Sequence, residues 1–242
     1  SDKPVDPHWY TIARHTEVLT SLIAELDLQR ITLVCQDWGG PTGLAQAAMM
    51  PERFDRLLIM NTWLHHPGFH YSDGIRKWFN HWRSGGLFDR PCPDVALLLL
   101  LSSGLAPRDI VIPALVNRKT PPLEDGAQSM YRGFSAPYRG LPDEAFNGYR
   151  RFPLSIPALD YHSGNAAAQA LHYRLLLNWQ KPVYFIWGCE DDVFTETWGR
   201  EWASQLGASF DPLQDAGHFP QNTHGEKICQ TLLERIASEP RR

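Results

Sequence analysis

The stretch Ile31-Thr32-Leu33-Val34-Cys35-Gln36-Asp37-Trp38-Gly39-Gly40 constrains this chain more than any other. A β-branched, apolar run stops at an aspartate, and a glycine pair then opens a helix expected over Pro41 to Met50. That is the strand–turn–helix context of a nucleophile elbow, with Asp where the commoner G-x-S-x-G pattern has Ser. The tight turn lifts one side chain above the end of a parallel sheet, and small residues let the backbone close behind it. A carboxylate in that place needs no base to become a nucleophile, so it suits attack on an alkyl carbon. Asp37-Trp38-Gly39-Gly40 would also serve as a plain helix N-cap. More distant residues decide between the two.

Apolar strands punctuate the rest of the chain. Arg56 to Thr62, Lys181 to Gly188 and Ser209 to Leu213 read as buried strands following Ile31 to Cys35. His8 to Leu28 reads as an amphipathic helix with Ile12, Val18, Leu19, Leu22, Ile23 and Leu26 on one stripe, and Thr223 to Ala237 as a closing helix. Near-continuous apolar strands alternating with helices imply an α/β fold, a mostly parallel sheet with helices on both faces. From about Trp63 to Ser163 the alternation is missing. Pro and aromatic residues accumulate there, with helical pieces at Gly74–Trp82, Asp94–Leu105 and Pro142–Tyr149, so the interval reads as a helical insertion. The expected division is a core from residues 1–63 and 164–242 and an inserted cap at 64–163, suited to excluding water from an apolar pocket.

Two further strands end in polar residues. One gives Gly188-Cys189-Glu190-Asp191-Asp192, the other Asp215-Ala216-Gly217-His218-Phe219-Pro220. With Asp37 they supply nucleophile, acid and histidine in the chain order of α/β-hydrolase triads. In that geometry His218 takes a proton from water, and Asp191 orients the ring and stabilises the imidazolium. Glu190 and Asp192 are neighbouring carboxylates that only geometry can separate from Asp191. Asn61, at the end of another strand, is an amide and cannot act as the acid.

These segments together resemble the haloalkane dehalogenases of the α/β-hydrolase superfamily. The likeness runs through Gln36-Asp37-Trp38-Gly39-Gly40, Arg56-Leu57-Leu58-Ile59-Met60-Asn61, Gly188-Cys189-Glu190-Asp191 and Asp215-Ala216-Gly217-His218-Phe219-Pro220-Gln221. Phe134-Ser135-Ala136-Pro137-Tyr138 and Arg151-Phe152-Pro153 resemble that family's cap. Gln36 before the nucleophile favours dehalogenases over epoxide hydrolases, which more often have His there. The resemblance implies a hydrolase that acts on a small halogenated alkane and water through an aspartyl alkyl ester, with no cofactor and no metal. It also implies that Trp38 donates its indole N–H to the departing halide, that a cap residue such as Trp78 or Trp82 (or an Asn near the N-terminus) gives a second donor, and that Phe152, Pro153 and Phe219 line the pocket. An epoxide hydrolase with the same nucleophile, using Tyr131, Tyr138 or Tyr149 as acid, is the nearest alternative; a catalytically silent remnant is another. The resemblance further places additional strands and a His-Gly-x-Pro loop before Ser1, so the chain is expected to be a partial α/β-hydrolase fold, N-terminally truncated. The strand Ile31–Cys35 would then lack a neighbour on one side.

Composition excludes other classes. A net charge of -4, with no basic run beyond Arg241-Arg242, opposes nucleic-acid binding. The longest apolar run, Val95 to Leu101, is too short to span a bilayer. Cys35, Cys92, Cys189 and Cys229 show no C-x-x-C spacing, which fits free thiols, a reducing compartment and a cytoplasmic location. His65, His66 and His70 lack the Cys or carboxylate spacing of a zinc site. A monomer is expected of the full-length protein.

Overall fold

The computed structural model describes residues 2–83, 94–104, 106–157 and 165–239. Cys92, Leu105, the cap boundary near Ser163 and the tail from Pro240 lie outside the described residues. In chain order the elements are α1 (Ile12–Glu25), β1 (Ile31–Asp37), α2 (Ala45–Met49), β2 (Phe54–Thr62), α3 (Asp73–Arg83), α4 (Val95–Ser103) and α5 (Arg108–Asn117). There follow α6 (Asp125–Ser135), α7 (Asn147–Arg151), α8 (Asn165–Leu176), β3 (Val183–Gly188), α9 (Glu196–Gln205), β4 (Ser209–Leu213) and α10 (Pro220–Ser238). The chain divides into two compact units, one of residues 1–11 and 76–156, the other of residues 12–75 and 157–242.

The second unit carries an all-parallel sheet in the order β1-β2-β3-β4. Successive side chains of a strand point to opposite faces. Leu58 and Met60 of β2 and Ile186 of β3 therefore share one face, where they pack with Leu213, Ala216 and Ile228 of α10. Phe185 and Trp187 of β3 lie on the other face, Phe185 edge-on to Trp202 of α9 at 5.6 Å. Burial on both faces is why β2 and β3 read as apolar runs rather than alternating ones, whereas the flanking β1 and β4 are only partly buried. Pro212 interrupts no ladder, because β4 is an edge strand that needs no donor on its outer side. β1 forms the other edge among the described residues.

The helix expected over His8–Leu28 is shorter. Asp6 caps a single 3-10 turn at Pro7–Trp9, and α1 begins only at Ile12. Its stripe is also only partly used: Ile12 and Ile23 are buried, whereas Val18, Leu22 and Leu26 remain exposed. Polar bonds dock α1 instead. Thr20 donates to Oε1 of the fully buried Gln46 at 2.8 Å, and Gln46 Nε2 donates to Thr16 O at 3.0 Å. The segment after the elbow begins as a π-helical turn, Gly40–Leu44, before tightening into α2.

In the first unit Leu97 and Leu100 of α4, Val111 and Ala114 of α5 and Ala127 of α6 form one buried cluster. Asp94 accepts from Leu97 N at 3.2 Å and Gly104, at φ 69°, ends α4 in a left-handed cap. Asn147 Nδ2 donates to Val5 O at 2.7 Å, which ties the N-terminal residues to α7. The Pro142–Tyr149 helix resolves into a 3-10 turn, Asp143–Phe146, running into α7. α5 and α8 are helices that the periodicity does not announce, and α6 and α9 are amphipathic helices beyond those read from sequence.

Candidate active site

β1 delivers Asp37 at its last position with φ 50°, a left-handed conformation that costs a non-glycine residue about 1–3 kcal/mol. The surrounding structure holds that turn in place. Thr62, at the end of β2, donates its hydroxyl to the Asp37 carbonyl, and the β1–β2 register shifts between Gln36 and Asp37 to make the pairing. Behind the turn Gly40 leaves no room for a side chain: a Cβ there would lie 2.0 Å from Thr62 Oγ1 and 2.8 Å from the Trp63 carbonyl. The glycine pair of the sequence thus has one strict member. Cys35, one turn of pleat below, is buried and its thiol is pushed up to about 12 by loss of water, so it stays neutral.

The candidate acid and base lie beyond the ends of β3 and β4. Asp191 has a fully enclosed side chain, and its Oδ2 lies 3.0 Å from His218 Nδ1. Asn61 Nδ2 donates to the same Oδ2 at 2.9 Å, and the Val193 N–H donates to Oδ1 at 2.7 Å. Asn61 also bridges the strands, exchanging hydrogen bonds with Gly188 N and Gly188 O at 2.8 and 2.9 Å. The amide that cannot be the acid therefore aims it. Glu190 and Asp192 are exposed, so of the three adjacent carboxylates Asp191 meets the ring. His218 Nε2 lies 4.0 Å from Asp37 Oδ2, too far for a direct hydrogen bond and close enough to act on the same bound group.

Charge in this cluster is shifted as the geometry requires. Burial pushes the Asp37 carboxyl up to about 6; His218 opposes that rise, Asp191 adds to it, and the Trp38 backbone N–H opposes it. For His218, burial disfavours the charged ring, but the charge and hydrogen bond of Asp191 and the charge of Asp37 outweigh it, and the net direction is upward. Both groups hold protons in the folded chain that the unfolded chain has released. Their stabilising contribution is complete below the ordinary carboxylate value of ~4, fades for Asp37 as pH rises through about 6, and fades for His218 at higher pH. On the expectation that Asp37 is the nucleophile and His218 the base, ester formation calls for an ionised Asp37 and should lose rate below an apparent pKa of about 6. Ester hydrolysis, which needs a neutral ring, should also lose rate as pH falls, with its acid limb at higher pH than that of ester formation. Single-turnover rates from pH 5 to 9 check this: coincident acid limbs, or an alkylation limb near 4, would contradict it.

Aromatic rings wall the cluster. Trp38 meets Trp63 edge-on at 4.8 Å, Trp63 stacks on Phe194 at 5.3 Å, and Phe194 leans on His218 at 5.4 Å. Phe219 sits edge-on to the His218 ring at 4.6 Å. Trp63 was not singled out by its sequence, yet it is 2% exposed and its indole N–H finds no acceptor among the described residues. Only its position after Asn61-Thr62 could have marked it. Trp78 and Trp82 lie on α3 and contact each other edge-on at 5.3 Å, with Trp82 buried. Phe152 and Pro153 form a 3-10 turn in the first unit. There too, Tyr131 donates to Asp94 Oδ2 at 2.8 Å, and Tyr138 stacks on Phe146. His65 Nδ1 pairs with the Tyr71 hydroxyl at 2.8 Å and His66 lies flat on Tyr173 at 3.8 Å, so both rings serve packing.

The profile of the alpha/beta hydrolase family matches residues 1–231. A haloalkane dehalogenase of Psychrobacter cryohalolentis is 30% identical across 100% of this chain and 72% of its own length. The chain belongs to the α/β-hydrolase family and, within it, groups with the haloalkane dehalogenases. The solved haloalkane dehalogenase of Paraglaciecola agarilytica superposes with a TM-score of 0.75 at 25% identity, over 96% of this chain and 70% of the other. A third relative, the cis-3-alkyl-4-alkyloxetan-2-one decarboxylase of Shewanella oneidensis, is 44% identical over 90% of this chain and 64% of its own length. The α/β-hydrolase fold, with its parallel sheet, is the one the strand pattern implied. Among the described residues no helix is long and apolar enough to cross a membrane.

Proposed function

We propose that this hydrolase converts a small halogenated alkane and water into an alcohol and a halide ion. The observation that carries the reading is the placement of Asp37 on a strained elbow with His218 Nε2 4.0 Å away and Asp191 behind it. A carboxylate oxygen of Asp37 attacks the carbon bearing halogen, the C–X bond breaks, and halide leaves. The aspartyl ester carbonyl then faces the Trp38 backbone N–H, which in the free protein hydrogen-bonds the Asp37 carboxylate. Water gives a proton to His218 and attacks that carbonyl. The ester C–O bond breaks, and the alkoxide leaves as alcohol with the proton from the ring. Residues 64–163 act in this reading as the cap, with Phe152, Pro153 and Phe219 lining the pocket and Trp78 or Trp82 as second halide donor. We place the enzyme as a monomer in the cytoplasm, in keeping with the free thiols of Cys35, Cys189 and Cys229. Incubation with 1-bromobutane and with a terminal epoxide tests it: bromide and butanol should appear, and diol formation alone would favour the epoxide reading.

The 44% identity to an oxetanone decarboxylase favours a second reading of the same carboxylate. Attack of Asp37 on the ring carbon that bears oxygen would open a β-lactone to an alkyl ester with a free carboxylate. Loss of CO2 then turns the C–C bonding pair into the alkene and expels Asp37 as leaving group. This sequence consumes no water and asks nothing of His218 as base. A cis-dialkyl β-lactone offered beside the bromoalkane therefore separates the two by product, alkene and CO2 against alcohol and bromide.

Trp38→Phe keeps an aromatic ring in contact with Trp63 and deletes the indole donor. Under the dehalogenase reading bromide binding should weaken by about 1–3 kcal/mol, the worth of one hydrogen bond to a charged group. Fluorescence titration with bromide measures it, and unchanged affinity would make Trp38 a packing residue.

A further inference from the structure

The sheet order sets a problem for the active site. Asp37 ends β1 at one edge and His218 follows β4 at the other, three strand spacings apart. At the usual inter-strand distance that is about 14 Å. The segment after β4 must therefore run back across the ends of β3 and β2 to bring the imidazole within 4.0 Å of the carboxylate. Asp191, at the end of β3, holds the ring through Nδ1. That bond alone leaves the main chain beneath the ring free to shift, which would swing Nε2 away from Asp37.

Gln36 answers that problem. Its Nε2 donates to the main-chain carbonyl of His218 at 2.8 Å, across 182 residues of sequence. Its Oε1 accepts from Gln221 Nε2 at 3.5 Å, so the amide reaches the returning segment at two points. Gln36 precedes Asp37 directly on β1, and the register shift after it marks where the strand gives way to the elbow. The residue that ties down the base is thus covalently joined to the nucleophile. Resting on the reading that His218 activates water toward an aspartyl ester, we propose that Gln36 is a positioning residue which sets the distance between base and nucleophile, acting on hydrolysis of the ester and not on its formation.

Gln36→Met keeps the length of the side chain and removes both amide contacts. Rapid-quench kinetics with 1-bromobutane should show ester formation within about threefold of the unaltered protein. Hydrolysis should be slower by about 10- to 100-fold, the scale of loss from an ångström of misplacement. The ester on Asp37 should accumulate accordingly. In a His218→Ala background the same substitution should change nothing further, because the base it positions is gone. A general structural role would slow both steps together and would persist in the double variant. Should Gln36→Met not fold, Gln36→Glu has the same length and also lacks a donor toward the His218 carbonyl. A proton NMR measurement of the His218 ring, made without substrate, reads the displacement independently: the Nδ1–H resonance should move in the variant. An unmoved resonance, or hydrolysis at the original rate, overturns the proposal. Absence of any ester in the His218→Ala protein would instead overturn the underlying reaction, and the ring resonance would still decide the role of Gln36.

Discussion

His218→Ala should turn the enzyme into a trap for its own intermediate. Asp37 needs no base to attack carbon, so the first step survives. Hydrolysis loses its proton acceptor, a contribution of typically 10²–10⁴-fold for a positioned general base. Intact-protein mass spectrometry after incubation with 1-bromobutane should show one added butyl group, and peptide mapping should place it on Asp37. Halide should appear in a burst of about one equivalent and then stop. Substrate consumed at the original rate by an unmodified protein would remove His218 from the role of base. The same variant offered a β-lactone should still release CO2 and alkene if the second reading holds, since that route never calls for water. Alanine also deletes the ring against which Phe194 and Phe219 pack, so folding is verified by circular dichroism before the chemistry is interpreted.

Asp37→Asn should abolish both adduct and turnover and at the same time stabilise the fold. The amide is nearly isosteric with the carboxylate but is too weak a nucleophile to displace halide. Glu190 and Asp192 are exposed and Asp191 is committed to His218, so no other of these carboxylates stands on the elbow. The stability change follows from the raised ionisation of Asp37. A carboxyl held at about 6 is charged at pH 8 against the preference of its surroundings. Replacing it with a neutral group should recover about 1–2 kcal/mol, less than the full shift implies because the buried amide carries a desolvation cost of its own. Thermal or urea unfolding at pH 8 should therefore show a more stable protein, and the gain should shrink at pH 5, where Asp37 is already largely protonated. A variant that is both inactive and less stable at pH 8 would mean that Asp37 is held in the site by favourable interactions rather than against them. Such a trade of stability for reactivity is common at catalytic positions.

Much of the fold is legible in the amino-acid sequence. β2 and β3 read directly from sequence because strands buried on both faces are continuous apolar runs; β1 and β4 are only partly buried, and β4 still begins and ends at Ser209 and Leu213 as read. Helices were less legible where their stripe is faint. α5 contains Pro113, and α8 has exposed Leu171 and Leu175 among its alanines, so neither shows a clear apolar face. α1 misled in the opposite sense: the stripe is there, but Val18, Leu22 and Leu26 are exposed, and the helix is docked by Thr20 and Gln46.

By itself the amino-acid sequence determined the family, the elbow and the chain order of Asp37, Asp191 and His218, because each is read from short segments of adjacent residues. Strand, turn and helix are local events, and the chemistry of a carboxylate or an imidazole is a property of one side chain. What joins distant residues was decided only in three dimensions. The choice of Asp191 over Glu190 and Asp192, the use of Asn61 to aim it, the Thr62 bond to Asp37 and the Gln36 bond to His218 all depend on strand register and on the path of the chain after β4. A shift of one residue in register reverses every side chain of a strand between faces, so these partnerships exist only once the sheet has assembled.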